Sequence, residues 1–268
     1  MSIVKPATPA TKVLQLKSSI FDSATAQGVS SQLSGELIEG LRALHSDVTV
    51  TTRDFSTAPV PYLDAAWLQA LFTPAADRTQ EQSEKVAYSD SLIAELQAAD
   101  VVVIGVPMYN FAIPAMLKSW TDHVARAGVT FKYTDKGAVG LVEGKKVYLV
   151  VSTGGRHAEG VTDFIRPYLR TFLGFIGLTD IDIIVADGLN MGEVPRAEGL
   201  EQAREQIRQA LASAQRSRGI FRFLETAAGL RARFQRDSRR RGRRNFHGRR
   251  RSRIGHGVGP DGSFLRRR

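Results

Sequence analysis

Hydrophobic and polar positions along the chain fall into blocks that switch repeatedly between strand and helix periodicity. Lys12–Lys17 (KVLQLK) reads as a short strand that breaks at Ser18-Ser19. Gly28–Leu44 reads as a helix with Leu33, Leu37, Leu41 and Leu44 along one face. Val48–Arg53 alternates and is rich in β-branched residues, so it reads as a second strand. Residues 54–78, with Pro59, Pro61 and Pro74, read as a long connection with a short helix near Ala65–Phe72. Thr79–Ala98 follows as a long helix. Asp100–Val106 (DVVVIGV) is a continuous apolar run, the pattern of a parallel strand buried on both faces. Pro107 ends it, and Pro114 suits the first turn of a helix running to about Ala125, where a missing N–H costs nothing. Val129–Tyr133 and Gly137–Leu141 pattern as a hairpin, and Lys145–Val151 as another buried strand. A helix over Thr162–Phe172, a strand over Asp180–Ala186 (DIDIIVA) and a helix over Glu198–Ala214 complete the series.

Strands therefore alternate with helices five times, which predicts a doubly wound parallel sheet with helices on both faces. Five strands favour the flavodoxin-like order over the six-stranded dinucleotide order. In such sheets ligands bind beyond the C-terminal strand ends, where the strand order reverses. The loops after Lys17, Val106 and Val151 should converge there.

Composition narrows the chemistry. The chain has 268 residues and no Cys, so it has neither disulfides nor thiolate metal ligands. Its five His show no metal-ligand spacing, and no GxSxG elbow supports a hydrolase triad. Neither GxxxxGK[ST] nor GxGxxG follows a strand, so neither an ATP site nor the standard dinucleotide fingerprint is supported. No apolar run reaches the ~18–20 residues that span a bilayer. Residues 1–11 lack a secretory pattern and are expected to be disordered, which makes a cytoplasmic protein the default.

The net charge of +10 is unevenly placed. From Arg216 onward the sequence carries 18 Arg, no Lys and three acidic residues, leaving 19 basic and 24 acidic residues before it. The expected division is one domain over 12–215 and an Arg-rich disordered extension over 216–268. That extension reads either as a polybasic arm for nucleic acid or anionic membrane, or as an unselected translated stretch.

Each candidate loop admits two readings. Ser18-Ser19 through Gly28-Val29-Ser30-Ser31 leads into a helix. Small hydroxyl residues there suit either an anionic phosphate or an ordinary N-cap. Pro107-Met108-Tyr109-Asn110-Phe111 could bond the edge of a flat heterocycle or plug the end of the sheet. In Ser152-Thr153-Gly154-Gly155-Arg156-His157, the paired glycines admit close backbone approach to a ligand or make a flexible turn. His157 reads as a surface histidine before a catalytic acid.

Together these segments resemble the FMN-dependent NADH-azoreductase family, also described as NADH:quinone oxidoreductases. The resemblance covers about residues 12–214. It is carried by KSSI (17–20), SQLS (31–34), VPMYNFAIPAMLKSWTDHVARAGVTFKYT (106–134), STGG (152–155) and PYLRTFLGFIGLTDI (167–181). It implies FMN, with Ser19, Gly28, Val29 and Ser30 at the phosphate and ribityl chain. Met108, Tyr109, Asn110 and Phe111 would lie at the isoalloxazine ring, and Ser152, Thr153, Gly154 and Gly155 at its pyrimidine end. It also implies a homodimer with the flavin at the interface, and Tyr133 and Phe175 near the substrate cavity, where His157 is a further candidate. The first loop, Phe21–Gln27, is longer than the family pattern, and Gly28 stands where some members have Ser.

The implied activity is ping-pong transfer of two electrons from NADH, by hydride to flavin N5, then to quinones or azo compounds. No catalytic side chain and no metal are required. The rival readings are a flavin-binding electron carrier without turnover and a nucleic-acid binder acting through the basic tail.

Overall fold

The computed structural model describes residues 10–21, 28–45, 47–157 and 161–216. The expectations for residues 1–9, for most of the Phe21–Gln27 loop and for residues 217–268 lie outside these.

β1 (Thr11–Lys17), β2 (Val48–Asp54), β3 (Val101–Pro107), β6 (Lys146–Ser152) and β7 (Asp180–Ala186) form one parallel sheet in the order β2-β1-β3-β6-β7. This is the flavodoxin-like order, and the reversal falls between β1 and β3. A separate antiparallel hairpin, β4 (Phe131–Thr134) and β5 (Gly137–Gly140), is the one anticipated from the pattern. The helices are α1 (Val29–Leu44), α2 (Ala65–Phe72), α3 (Gln80–Ala98), α4 (Ala115–Val124), α5 (Ile165–Ile176) and α6 (193–216).

Two elements differ from the sequence reading. α5 starts and ends about a turn later than Thr162–Phe172, because its stop is Gly177, left-handed at φ +106. α6 begins at 193 rather than 198, since Pro195 lies in the first turn, where proline is tolerated.

The buried strands fill both faces of the sheet. Leu14, Leu16, Val102, Ile104, Val106, Val147, Leu149 and Val151 pack against α3, α4 and α5 through Leu92, Leu96, Leu117, Trp120, Leu169 and Leu173. Val13, Val103, Tyr148, Val150 and Ile184 pack against α1 and α6 through Leu33, Leu37, Leu41, Ala203 and Ile207. Alternate residues of one strand thus serve opposite layers, which is why β3 and β6 read as unbroken apolar runs.

Packing also fixes where α1 begins. A Cβ on Gly105 would sit 3.1 Å from the Ser30 carbonyl oxygen, so the first turn of α1 rests on β3 where a glycine leaves room. Buried Gln15 of β1 donates to Ser34 Oγ (2.9 Å) and accepts from Thr52 Oγ1 (3.1 Å), tying α1, β1 and β2 together.

His123, wholly buried on α4, fastens the long connection after β2. Its Nε2 lies 3.0 Å from the Pro61 carbonyl oxygen and its Nδ1 2.8 Å from Ser89 Oγ. A carbonyl only accepts, so Nε2 donates to Pro61 and Nδ1 accepts from Ser89. Trp67 of α2 and Tyr88 of α3 pack edge-on against the ring. Burial holds the imidazole below its ordinary value, with the Pro61 bond and Asp122 opposing. The unfolded chain therefore binds the extra proton first. Stability from this site is complete above about pH 6.5 and falls as pH drops below it, by at most about 1.4 kcal/mol per unit. Melting temperature recorded from pH 8 to 5 should show this slope, and His123→Gln should flatten it.

Candidate cofactor site

The loops after β1, β3 and β6 converge at the C-terminal edge of the sheet. Ser18 is bound to β3: its N–H (3.2 Å) and Oγ (2.7 Å) both donate to the Gly105 carbonyl. Ser19, 1% exposed, accepts the Phe21 N–H at 3.1 Å. Gly28 caps α1 directly over it, and a Cβ there would lie 2.8 Å from Ser19 Oγ. A side chain at 28 would collide with Ser19 in this arrangement. Val29 and Ser30 open the helix, whose first-turn N–H groups have no intrahelical acceptor. Ser30 Oγ is buried and has no hydrogen-bond partner among the described residues.

The second loop is a tight two-residue turn. Tyr109 and Ala112 exchange both backbone hydrogen bonds (3.1 and 3.0 Å), and the residues between them have positive φ, Asn110 at +48 and Phe111 at +67. Two left-handed central residues are the type I′ pattern. Asn tolerates this conformation, but for a bulky residue such as Phe it costs about 1–3 kcal/mol. Among the described residues the N–H groups of Asn110 and Phe111 have no partner. Met108 N–H continues the ladder to the Ser152 carbonyl (2.8 Å).

The third loop is held from behind. The carbonyls of Thr153, Gly154 and Gly155 accept from Leu189 (3.2 Å), Asn190 (2.9 Å) and Gly188 (3.1 Å), all in the turn after β7. Thr153 N–H is spent on the Ala186 carbonyl (2.9 Å), and its hydroxyl on Gly155 (2.7 Å). The Gly154 and Gly155 N–H groups remain unpartnered among the described residues. His157 closes this side: its Nδ1 lies 2.8 Å from Thr162 Oγ1, and its ring meets Phe111 edge-to-face at 5.7 Å.

The structure thus gathers Ser19, Gly28, Val29, Ser30, Met108–Phe111, Ser152–Gly155 and His157 at one edge. Tyr133 and Phe175 are not brought there. α4 and α5 each run back toward the N-terminal edge of the sheet. Tyr133 and Phe175 flank Phe131 at that far end, at 5.5 and 4.3 Å.

Two features escaped the sequence reading. One is the supporting turn Gly188–Asn190, whose signal is the Asp187-Gly188 dipeptide closing a strand. The other is the Tyr109 hydroxyl. It reaches back to the first loop, accepting the Ile20 N–H at 3.2 Å and lying 3.4 Å from Ser19 Oγ.

Comparison with known proteins agrees with this geometry. A family model described as flavodoxin-like fold matches residues 11–211. A protein of Leptothrix cholodnii named FMN-dependent NADH:quinone oxidoreductase is 51% identical over 197 residues, 73% of this chain and 94% of its own. The chain belongs to the FMN-dependent NADH:quinone oxidoreductase family. A relative of the same name from Escherichia coli is 48% identical over 196 residues, 73% of this chain and 96% of its own. Among solved structures, an azoreductase from Bacillus anthracis superposes with a TM-score of 0.69 at 31% identity, covering 75% of this chain and 99% of that one.

The residues present fit the flavin this family name specifies. Ser30 Oγ is an orphaned buried hydroxyl beside a helix N-terminus, where anions are favoured. The N–H groups of Asn110, Phe111, Gly154 and Gly155, unpartnered among the described residues, line the other two loops. Among the described residues no group of His, Asp or Glu could hold a metal, and no helix is long and apolar enough to cross a membrane.

Proposed function

We propose that this chain is a cytoplasmic FMN-dependent enzyme that oxidises NADH and reduces quinones and aromatic azo compounds. The observation that carries the reading is the convergence of three loops at the sheet's switch point, with N–H groups unpartnered among the described residues on two of them and, among those residues, no side-chain cap on the helix start of the third. Relatives at about half identity that bear the same family name support it.

Ser19, Gly28, Val29 and Ser30 would hold the phosphate and ribityl chain by neutral donors and the α1 dipole. Met108–Phe111 would meet the ring, and Ser152–Gly155 its pyrimidine end. There the Gly154 and Gly155 N–H groups would stabilise negative charge as preorganised dipoles. FMN, when bound, supplies the two-electron chemistry between NADH and the acceptor. Phe111 and His157 wall one side of the place where donor and acceptor take turns, and no side chain need act as a nucleophile.

Tyr133 and Phe175 support a homodimer. An apolar groove of about 660 Å³ runs from Ala112 and Ile113 between α4 and α5, past Phe164 and Tyr168. The exposed hairpin residues Tyr133, Val139 and Leu141 lie at the other end of the same sheet face. A two-fold pairing across this face would set one subunit's hairpin over its partner's Phe111 turn, since an isologous interface joins each end to the opposite end.

The purified protein should be yellow, release FMN on denaturation and consume NADH continuously with benzoquinone and no partner protein. A colourless protein that stays inactive with added FMN sinks the reading. Retained colour without turnover makes the chain an electron carrier.

A further inference from the structure

We infer that the open edge of β7 is a docking site for an extended acidic segment of a partner protein, which adds a further strand to the sheet. The inference is independent of the flavin reading and concerns a different part of the sheet. β7 is the last strand in the order β2-β1-β3-β6-β7, so only β6 pairs with it. Its register with β6 runs unbroken from Asp180 to Ala186, with no bulge and no proline. Bulges, prolines and exposed lysines are the usual guards of a free edge.

One hydrogen bond shows which backbone groups face outward. The Val185 N–H donates to Gln206 Oε1 of α6 at 2.7 Å, so Val185 points away from β6. Successive residues of a strand alternate in direction, and each turns its N–H and C=O the same way. Ile181 and Ile183 therefore also present both groups to the open edge, where neither has a partner among the described residues. The Gln206 amide stands in for the carbonyl of an added strand and closes the edge at the Val185 end.

This edge is the floor of a cleft of about 830 Å³. Arg166 and Arg170 of α5 line one wall, and Gln206 and Gln209 of α6 line the other. The two helices cover opposite faces of the sheet, so they flank the strand from both sides. A second copy of the domain would carry its own β7 equally recessed. Its helices would collide with these before the two edges came within the ~4.8 Å of paired strands. A single extended segment fits. Charge then selects it. Arg166 is committed to Asp163 (2.5 Å) and Asp182 to Lys146 (3.0 Å). Arg170 is exposed and has no ion-pair partner among the described residues. An acidic side chain on the α5 side of the incoming strand would take it in a charge-assisted bond, while main-chain pairing supplies affinity.

The test uses the full-length protein and a short fluorescein-labelled peptide of alternating valine and threonine with a central glutamate, read by fluorescence anisotropy. Wild type should bind it. The same peptide N-methylated at every residue keeps its charge but loses its donors, and should bind at least about tenfold more weakly. Attraction to the chain's net positive charge alone would survive methylation. Arg170→Ala should weaken the glutamate peptide about tenfold and a glutamine counterpart less than about twofold. Ile183→Pro removes an outward N–H at an edge position that tolerates proline, and should weaken both peptides. If that variant fails to fold, the methylated peptide decides. No binding by wild type, binding indifferent to methylation, or an Arg170→Ala effect equal for both peptides overturns the inference. So does a wild-type dimer that dissociates on Ile183→Pro, which would assign this edge to a second copy.

Discussion

Gly199→Ala is expected to strip the protein of FMN while leaving most of the fold in place. Gly199 lies on α6, where the helix crosses the chain just after β7. A Cβ there would sit 2.0 Å from the Asp187 carbonyl oxygen, far inside any contact a real Cβ makes, so backbone must move to admit it. The segment that must move begins the turn whose Gly188, Leu189 and Asn190 N–H groups hold the carbonyls of the third loop. With those anchors displaced, the Gly154 and Gly155 N–H groups lose their aim. Two misdirected donors at about 1–1.5 kcal/mol each imply FMN binding weaker by about 30- to 160-fold. Fluorescence titration of the flavin-free variant measures this, with circular dichroism to confirm the secondary structure. A Gly199→Ala protein that binds FMN like wild type would show that the rear anchors do not set the site.

This effect at a distance marks the boundary of what the sequence could say. β3 and β6 were legible because each is buried on both faces, so their apolar runs carry no competing period. The Leu33–Leu37–Leu41 stripe was legible because one helix face meets one sheet face. Three candidate loops followed from the rule that ligands bind at strand ends, and they do meet. The reach of the Tyr109 hydroxyl was not legible. It depends on a left-handed turn at Phe111, a conformation no local propensity favours and one that only the surrounding fold imposes. Gly199 lies inside the helix read over Glu198–Ala214, and nothing in that pattern marks it, because its necessity comes from the Asp187 carbonyl outside the helix. The late start of α5 is local by contrast: Asp163 receives the Arg166 N–H (3.2 Å) and pairs with its guanidinium, an i,i+3 arrangement that fixes the first turn there and that the sequence reading passed over.

Gly140→Ala should do the reverse, weakening the fold while sparing FMN binding. Gly140 ends β5 against the last turn of α5. A Cβ there would lie 2.1 Å from Gly177 N, 2.3 Å from Gly177 Cα and 2.4 Å from the Ile176 carbonyl carbon. All three are backbone atoms, so no side-chain rotation relieves the overlap. The hairpin must lift from α5, straining the bond from Val142 N–H to the Ile176 carbonyl (2.9 Å) and the Phe131–Phe175 contact. Overpacking of this kind costs about 3 kcal/mol, which for a body of roughly 200 residues lowers the melting temperature by about 6–12 °C. Within one chain the three cofactor loops sit at the opposite edge of the sheet and share no partner with the hairpin, so FMN should still bind, with a loss well below that of Gly199→Ala. Turnover is the informative readout. If, as proposed, Tyr133 and Phe175 serve a partner subunit's site, the variant should keep its yellow colour yet lose most of its kcat/KM for quinone, along with its dimer by sedimentation. Full turnover by a Gly140→Ala monomer would confine each active site to a single chain and remove the hairpin from it.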